Sequence, residues 1–275
     1  LITGSKGQLG SELVDFLSKD NKVYGFGHKE LDITDKNHVI NTVPKIVPDI
    51  IIHCAAFVDA DGCETDIKTA FDVNTIGSGN VAIASKKNKS IMVYISTDYV
   101  FDGKKTSPYL ESDIPNPISI YGISKYGGEL IVKNLLNNFF IVRTSWLFRK
   151  EGKNFVNTIL RLAKDKKELR VVNDQVGSPT YIPDLAKAIS SLISTKYYGI
   201  YHITNSGECS RYEFTKKILK YAEIENVKVT PISTEELNRP ASRPKYSVLQ
   251  NFNLEEKKIY KMRSWELALK DFFKK

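Results

Sequence analysis

The chain opens on apolar positions, Leu1-Ile2-Thr3, runs through Gly4-Ser5-Lys6-Gly7-Gln8-Leu9-Gly10, and continues as an amphipathic stretch over residues 11–17. That order predicts the end of a buried strand, a glycine-rich turn and a helix. The alternation then repeats. Residues 22–26 predict a short strand, 35–46 a helix, 49–54 a strongly apolar strand and 68–87 a helix. A further strand begins at Ile91, a helix carries Tyr121, and residues 139–144 predict another strand. Strands alternating with helices imply an α/β fold, a doubly wound parallel sheet with helices on both faces. After Trp146 the pattern becomes irregular, with isolated helices over 155–163 and 210–222. A helix over 183–193 and a strand over 200–203 resemble one more unit of the first kind. No internal repeat or low-complexity segment stands out.

At 275 residues and 41% hydrophobic content, the chain can build one large core, or one core with a smaller lobe. It opens inside a strand, so a methionine and a residue or two are expected before it. No run approaches the roughly 20 apolar residues of a membrane span, and no signal peptide is expected. Cys54, Cys63 and Cys209 are odd in number and lack C-x-x-C spacing, which points to reduced thiols and a cytoplasmic setting. The four histidines have no metal-ligand spacing, and His53 and Cys54 end an apolar run, as core residues do. The formal charge is +8, from 40 Lys and Arg against 32 Asp and Glu. Short clusters such as Lys86-Lys87 and Lys166-Lys167 read as solvated faces, not as a nucleic-acid surface. A positive balance also suits an acidic nucleotide-sugar and a phosphate-bearing cofactor.

Three features carry chemistry. A glycine-rich turn between strand and helix lets backbone N–H groups approach a pyrophosphate, although the spacing here is G-x-x-G-x-x-G. The strand starting at Ile91 ends in Ser96-Thr97, which places hydroxyls at the carboxyl edge of a parallel sheet, where ligands bind. Tyr121 and Lys125 stand four residues apart on one helix face. A nearby ammonium is expected to bring the phenol's pKa of about 10 toward neutrality, as proton transfer to a reduced carbonyl requires. Tyr212 and Lys216 repeat the spacing, but without an upstream hydroxyl-bearing strand they read as ordinary helix surface.

With these stretches in view, the chain resembles the extended short-chain dehydrogenase/reductases, most closely the dTDP-4-dehydrorhamnose reductases. The run Ser96-Thr97-Asp98-Tyr99-Val100-Phe101-Asp102-Gly103 is the most specific match. Others are Thr3-Gly4 to Gly10, Leu31 to Asp35, Ala55-Ala56, Asp61 to Glu64, Tyr121 to Lys125, Ser145-Trp146, Gln175 to Thr180 and Arg243 to Leu249. The resemblance implies NADPH-dependent reduction, with NADH possible, of the C4 keto group of a dTDP-sugar by a monomer or homodimer. It implies a Rossmann-type domain over 1–145, rejoined by about 178–204, and a substrate-binding lobe from 146–177 and 205–275.

The catalytic residues so implied are Tyr121, Lys125 and Thr97. The cofactor would meet Gly4, Gly7, Gln8, Leu9, Gly10, His28, Lys29, Asp32, Ile33, Ala55, Ala56, Phe57, Ser96, Tyr121 and Lys125. His28 and Lys29 stand where an acid would otherwise select NADH, and Glu30 and Asp32 come slightly late, which tilts the expectation to NADPH. Thr97, Asp98, Val100, Trp146, Gln175 and Arg243 would meet the substrate, with Arg239 or Arg243 facing its diphosphate. The chain departs from the family at Val58, where threonine is frequent, and at Ala60, where valine is frequent. Some family members use magnesium, but no residues here mark such a site. Rival readings are another nucleotide-sugar epimerase or dehydratase, or a non-catalytic subunit like that of some methionine adenosyltransferases. Dehydratases of this class carry Asp-Glu after the threonine, where this chain has Asp98-Tyr99.

Overall fold

A computed structural model gives the fold and describes residues 1–274. At its centre is a six-stranded parallel sheet. Its strands are β1 (Ile2–Thr3), β2 (Gly25–Phe26), β3 (Ile50–His53), β4 (Ile91–Thr97), β5 (Phe139–Thr144) and β6 (Gly199–His202). They lie in the order β2-β1-β3-β4-β5-β6, so the direction of winding reverses between β1 and β3. A crevice opens at such a reversal, outside the carboxyl ends of the strands.

The strands are apolar on both faces because both are covered. Ile52, Val93, Phe140 and Val142 point to one core, and Ile51, Met92, Tyr94 and Ile141 to the other. The principal helices, in chain order, are α1 (Gln8–Leu17), α2 (Lys36–Ile46), α3 (Ser78–Asn88), α4 (Ile120–Leu135), α5 (Phe155–Asp165), α6 (Ile182–Ile193) and α7 (Arg211–Tyr221). Leu9, Leu13 and Leu17 of α1, with Ile182, Leu185 and Ile189 of α6, fill the first core. Val39 and Val43 of α2, Val81 of α3 and Val132 of α4 fill the second. Their spacing of three and four residues makes the apolar stripe that each helix buries. Full burial of a side chain such as Leu13, Ile51 or Met92 is worth about 1.5–3 kcal/mol.

A third core lies apart from the sheet. Phe148, Val156, Ile159, Phe214, Trp265, Leu269 and Phe272 form it, beside a parallel pair of strands, Glu168–Val172 and Lys228–Ile232. The helix expected over 183–193 packs on the main sheet as α6, as one more unit of the first kind.

Two expectations change. The strand expected over 22–26 pairs only at Gly25–Phe26, because β1 offers only Ile2 and Thr3 as partners. The single helix expected over 68–87 is broken. Short helices at Ala60–Thr65 and Ile67–Phe71 lead into a π-helical turn, Asp72–Gly77, and only then into α3. The widened turn holds the buried Asn74, whose amide accepts from Phe57 N (2.8 Å) and donates to Phe57 O (3.0 Å) and Ser124 Oγ (3.0 Å). Such turns replace regular helix where a side chain must reach inward.

Candidate active site

Local signals fix each wall of the crevice. Gly4 has φ +65°, a left-handed conformation open to glycine, and a Cβ on Gly10 would strike Gly4 O at 2.2 Å. The turn therefore stays tight against the start of α1. That helix begins at Gly7 with no side-chain cap and no acid in its first turn, so its N-terminal N–H groups suit an anion. Ser119 caps α4 by accepting from Gly122 N (3.2 Å), which sets Tyr121 in its first turn and Lys125 one turn later.

These elements enclose a cavity of about 450 Å³. It brings together Gly4, Gly7, Gln8, Leu9 and Gly10 with Ala56, Ser96, Thr97, Asp98, Tyr121, Lys125 and Trp146. Val58 and Ala60 also line it. Two oxygens fit the binding of a further molecule. Thr144 Oγ1, at the end of β5, is buried without a hydrogen-bond partner among the described residues, and it too lines the cavity. Thr97 Oγ1 donates to Asp98 Oδ1 (3.1 Å) and accepts from Tyr99 N (3.2 Å). The cradle and its donors thus fit a dinucleotide.

The electrostatics differ from the simple expectation. Burial pushes the Tyr121 phenol well above its ordinary range, and the neighbouring Thr97 hydroxyl only partly opposes this. The expected lowering by Lys125 does not occur: burial governs the phenol, and the acidic neighbours Asp98 and Tyr99 push it the same way. Lys125 itself is 2% exposed, with Nζ 4.2 Å from the centre of the Tyr94 ring. Burial brings Lys125 down to about 7, against the pull of Glu129. Asp98 is buried too, and rises to about 6 although Ser247 donates to it at 2.6 Å. Tyr99 meets Tyr121 edge-on, with ring centres 5.4 Å apart.

Residues 1–275 match the family described as RmlD substrate binding domain. The chain belongs to this family. The Bacillus subtilis spore coat polysaccharide biosynthesis protein SpsK is 42% identical over 99% of this chain and 95% of its own length. A dTDP-4-dehydrorhamnose reductase of Aggregatibacter actinomycetemcomitans is 38% identical over 98% of this chain and 97% of its own. A crystal structure of the Bacillus anthracis dTDP-4-dehydrorhamnose reductase in complex with NADP superposes with a TM-score of 0.96. It is 49% identical and covers 99% of this chain and 97% of that one.

Within this family fold, several expected residues stand away from the cavity. Val100 is fully buried against Phe101, Tyr109 and Leu249, so it is core and not substrate wall. The buried Gln175 spends its amide on Thr234 Oγ1 (3.0 Å). Arg243 clasps both oxygens of Asp61 at 3.0 Å, and Arg239 pairs with the same carboxylate, so neither guanidinium faces a diphosphate uncompensated. Ile33 is buried, and a Cβ on Gly77 would meet its Cδ1 at 2.8 Å. Ala55 contributes backbone, since a Cβ on Gly4 would strike Ala55 N at 2.6 Å, whereas the backbone N and O of Phe57 are held by Asn74. His28 and Lys29 are exposed beyond β2, and Asp32 accepts from Thr34 N (2.9 Å). The neighbourhood is not free of acid, since Glu30 turns back to pair with Lys6.

Other groups are spent in structure. His53 is held between Thr3 Oγ1 (2.7 Å) and Ser78 Oγ (3.1 Å), and burial lowers it to about 3. Cys54, Cys63 and Cys209 are free thiols. Among the described residues no group of His, Cys, Asp or Glu side chains could hold a metal, and no helix is long and apolar enough to cross a membrane. One cavity residue escapes the sequence reading altogether. Arg211, the first residue of α7, reaches the cavity beside Trp146. Its only local mark is the capping box Ser210-x-x-Glu213, which predicts a helix start and says nothing of where the side chain goes.

Proposed function

We propose that this protein reduces the C4 keto group of dTDP-4-dehydro-L-rhamnose to dTDP-L-rhamnose with NADPH, a step of dTDP-rhamnose biosynthesis. One observation carries the chemistry: a protonated, half-buried phenol at Tyr121 beside the Thr97 hydroxyl, in a cavity whose floor is the uncapped start of α1. When bound, the cofactor supplies a hydride. Tyr121 gives its proton to the carbonyl oxygen as that oxygen becomes an alcohol, and Thr97 turns its one O–H from Asp98 to donate a hydrogen bond to it. A phenol whose pKa is raised is fully protonated at neutral pH, the state a proton donor needs. Lys125 holds the cofactor's ribose and its charge favours the phenolate left behind. Gly4, Gly7 and Gly10 with the α1 N–H groups cradle the pyrophosphate, while His28 and Lys29 take the 2′-phosphate, Glu30 being matched by Lys6.

Residues 1–145, rejoined by about 178–204, form the cofactor domain in this reading, and 146–177 with 205–275 the substrate lobe. The separate third core supports that division. The NADP complex of the similar Bacillus anthracis reductase supports the cofactor.

The test is NADPH consumption with the keto sugar. Tyr121→Phe should lower turnover by about 10²–10⁴-fold with little change in cofactor affinity, while Tyr212→Phe stays near wild type. Wild-type turnover by Tyr121→Phe would remove Tyr121 from its role. Offered dTDP-glucose and NAD⁺, the protein should release no dehydrated sugar, because Tyr99 replaces the carboxylate that elimination requires. No NADPH loss with any keto sugar would instead favour the non-catalytic subunit.

A further inference from the structure

Arg211 and Lys125 line the cavity, and among the described residues neither has an ion-pair partner. The guanidinium carbon of Arg211 lies 3.4 Å from the centre of the Trp146 ring and 4.8 Å from that of Phe155. The cation thus sits over the Trp146 ring with Phe155 close by, which restricts where its fork can go. Among the described residues its side chain makes no hydrogen bond, and no carboxylate comes within ion-pair distance of it. That sets it apart from Arg239 and Arg243, both of which are spent on Asp61. Tyr99, Asp98 and Cys209 favour its charged form, and Arg243 opposes it. Burial brings it down to about 10, so it keeps its charge at neutral pH.

The surroundings are built to hold this position. Arg211 N donates to Gln175 O (3.2 Å), and the Ser210–Glu213 box starts α7 at this residue. Trp146 has φ +46°, a strained conformation for a side chain of its size. Its indole also lies against Gly177, where a Cβ would strike Cε2 at 2.6 Å. The indole is therefore clamped between the Gly177 backbone and the guanidinium. The five N–H donors of Arg211 are unpaired among the described residues, and the side chain lines a cavity that also holds Tyr121 and Thr97.

We propose that the Arg211 guanidinium, laid on Trp146 within the Tyr121 cavity, is a substrate-specificity group that binds an oxygen-rich acceptor of the nucleotide-sugar. This rests on the dTDP-sugar reading above. The acceptor oxygens belong either to the diphosphate or to the sugar hydroxyls, and both offer the lone pairs that a guanidinium fork engages.

The experiment is calorimetric titration of dTDP and of dTDP-L-rhamnose into the full chain saturated with NADP⁺. Arg211→Gln should weaken dTDP-L-rhamnose by roughly 10- to 100-fold, as expected for loss of charge-assisted hydrogen bonds. An equal loss for dTDP assigns the contact to the diphosphate. Unchanged dTDP binding assigns it to the sugar hydroxyls. Arg211→Lys should restore part of a diphosphate contact and little of a forked sugar contact. Arg211→Met, which keeps an apolar stem over Trp146, serves if the glutamine variant folds poorly, and NADP⁺ affinity reports the fold. In kinetics KM for the keto sugar should rise more than kcat falls. Wild-type affinity for both ligands in Arg211→Gln or Arg211→Met overturns the inference alone. Failure of the wild type to bind either ligand overturns the dTDP-sugar reading and this inference with it.

Discussion

Asp98 shows what burial does to a single side chain. It is 2% exposed and adjoins Thr97, and its raised pKa of about 6 exceeds the 3.8 of an unfolded chain. A raised carboxyl favours the fold while it is protonated. That contribution is complete below about 3.8 and is lost as pH rises through about 6. The difference is worth about 3 kcal/mol. Asp98→Asn keeps the shape and can still bond Ser247 and Thr97, whose hydroxyls rotate to donate or accept. The variant should therefore gain on the wild type by about 3 kcal/mol in urea unfolding between about pH 4 and pH 7. A gap that does not change with pH would mean that Asp98 stays ionised in the fold. The sequence marks Asp98 as a site residue but not its protonation, since nothing in Thr97-Asp98-Tyr99 records that Ser247, 149 positions away, closes over it. Tyr121 teaches the same lesson. Its spacing to Lys125 is local and legible, whereas the depth that reverses the expected shift comes from distant elements.

Between elements, one buried ion pair ties the helix that bears Tyr121 to the sheet. Glu129 of α4 is fully buried and receives Arg143 of β5 through Nε (2.9 Å) and Nη2 (2.7 Å), with Ser96 of β4 donating at 2.5 Å. Arg143 also lies 5.2 Å from the Phe101 ring. Ser96, expected to meet the cofactor, thus commits its hydroxyl to the carboxylate while its backbone borders the cavity. Glu129→Gln leaves Arg143 buried without a counter-charge, which should cost about 3–5 kcal/mol in chemical denaturation. It also removes the carboxylate that favours the charged form of Lys125. Lys125 should then lose its charge at a lower pH than the wild type's value of about 7, so NADPH affinity in the variant should begin to fall at lower pH than in the wild type. A loss below about 1 kcal/mol would show that the pair is replaceable. Most helices and strands were readable from apolar spacing, as the strand at Phe139–Thr144 shows. The π-helical turn at Asp72–Gly77 was not, because a single buried asparagine, Asn74, sets it through contacts with Phe57 and Ser124.

At the scale of the whole molecule, separate cores raise the question of whether the lobes act as one unit. Polar contacts sew them together across long stretches of chain. Arg149 Nη1 donates to Gln8 O (3.0 Å) and Ser11 Oγ (2.7 Å), Gln8 donates to Lys153 O (2.9 Å), and Arg243 grips Asp61 across 182 positions. Arg263 holds Asp184 of α6 at 2.7 Å and 2.9 Å. None of these pairings leaves a mark in local sequence, which is why the first half of the chain is the more legible and the second reads as irregular. Their physical consequence is coupling. Losing the third core would strand Asp61 and Asp184, so neither lobe can unfold without cost to the other. Calorimetry should therefore show one cooperative transition for the ligand-free protein. Two resolved transitions would mean that the lobes melt independently. The cavity is walled by both parts, with Gly4 to Gly10 on one side and Trp146 and Arg211 on the other. A ligand that spans them binds only the closed, fully folded form. dTDP-L-rhamnose at a hundredfold excess over its Kd should then stabilise that single transition by about 2.7 kcal/mol. If it instead moved only one of two transitions, the cavity would belong to a single lobe, and the contacts across the crevice would not be what holds the substrate.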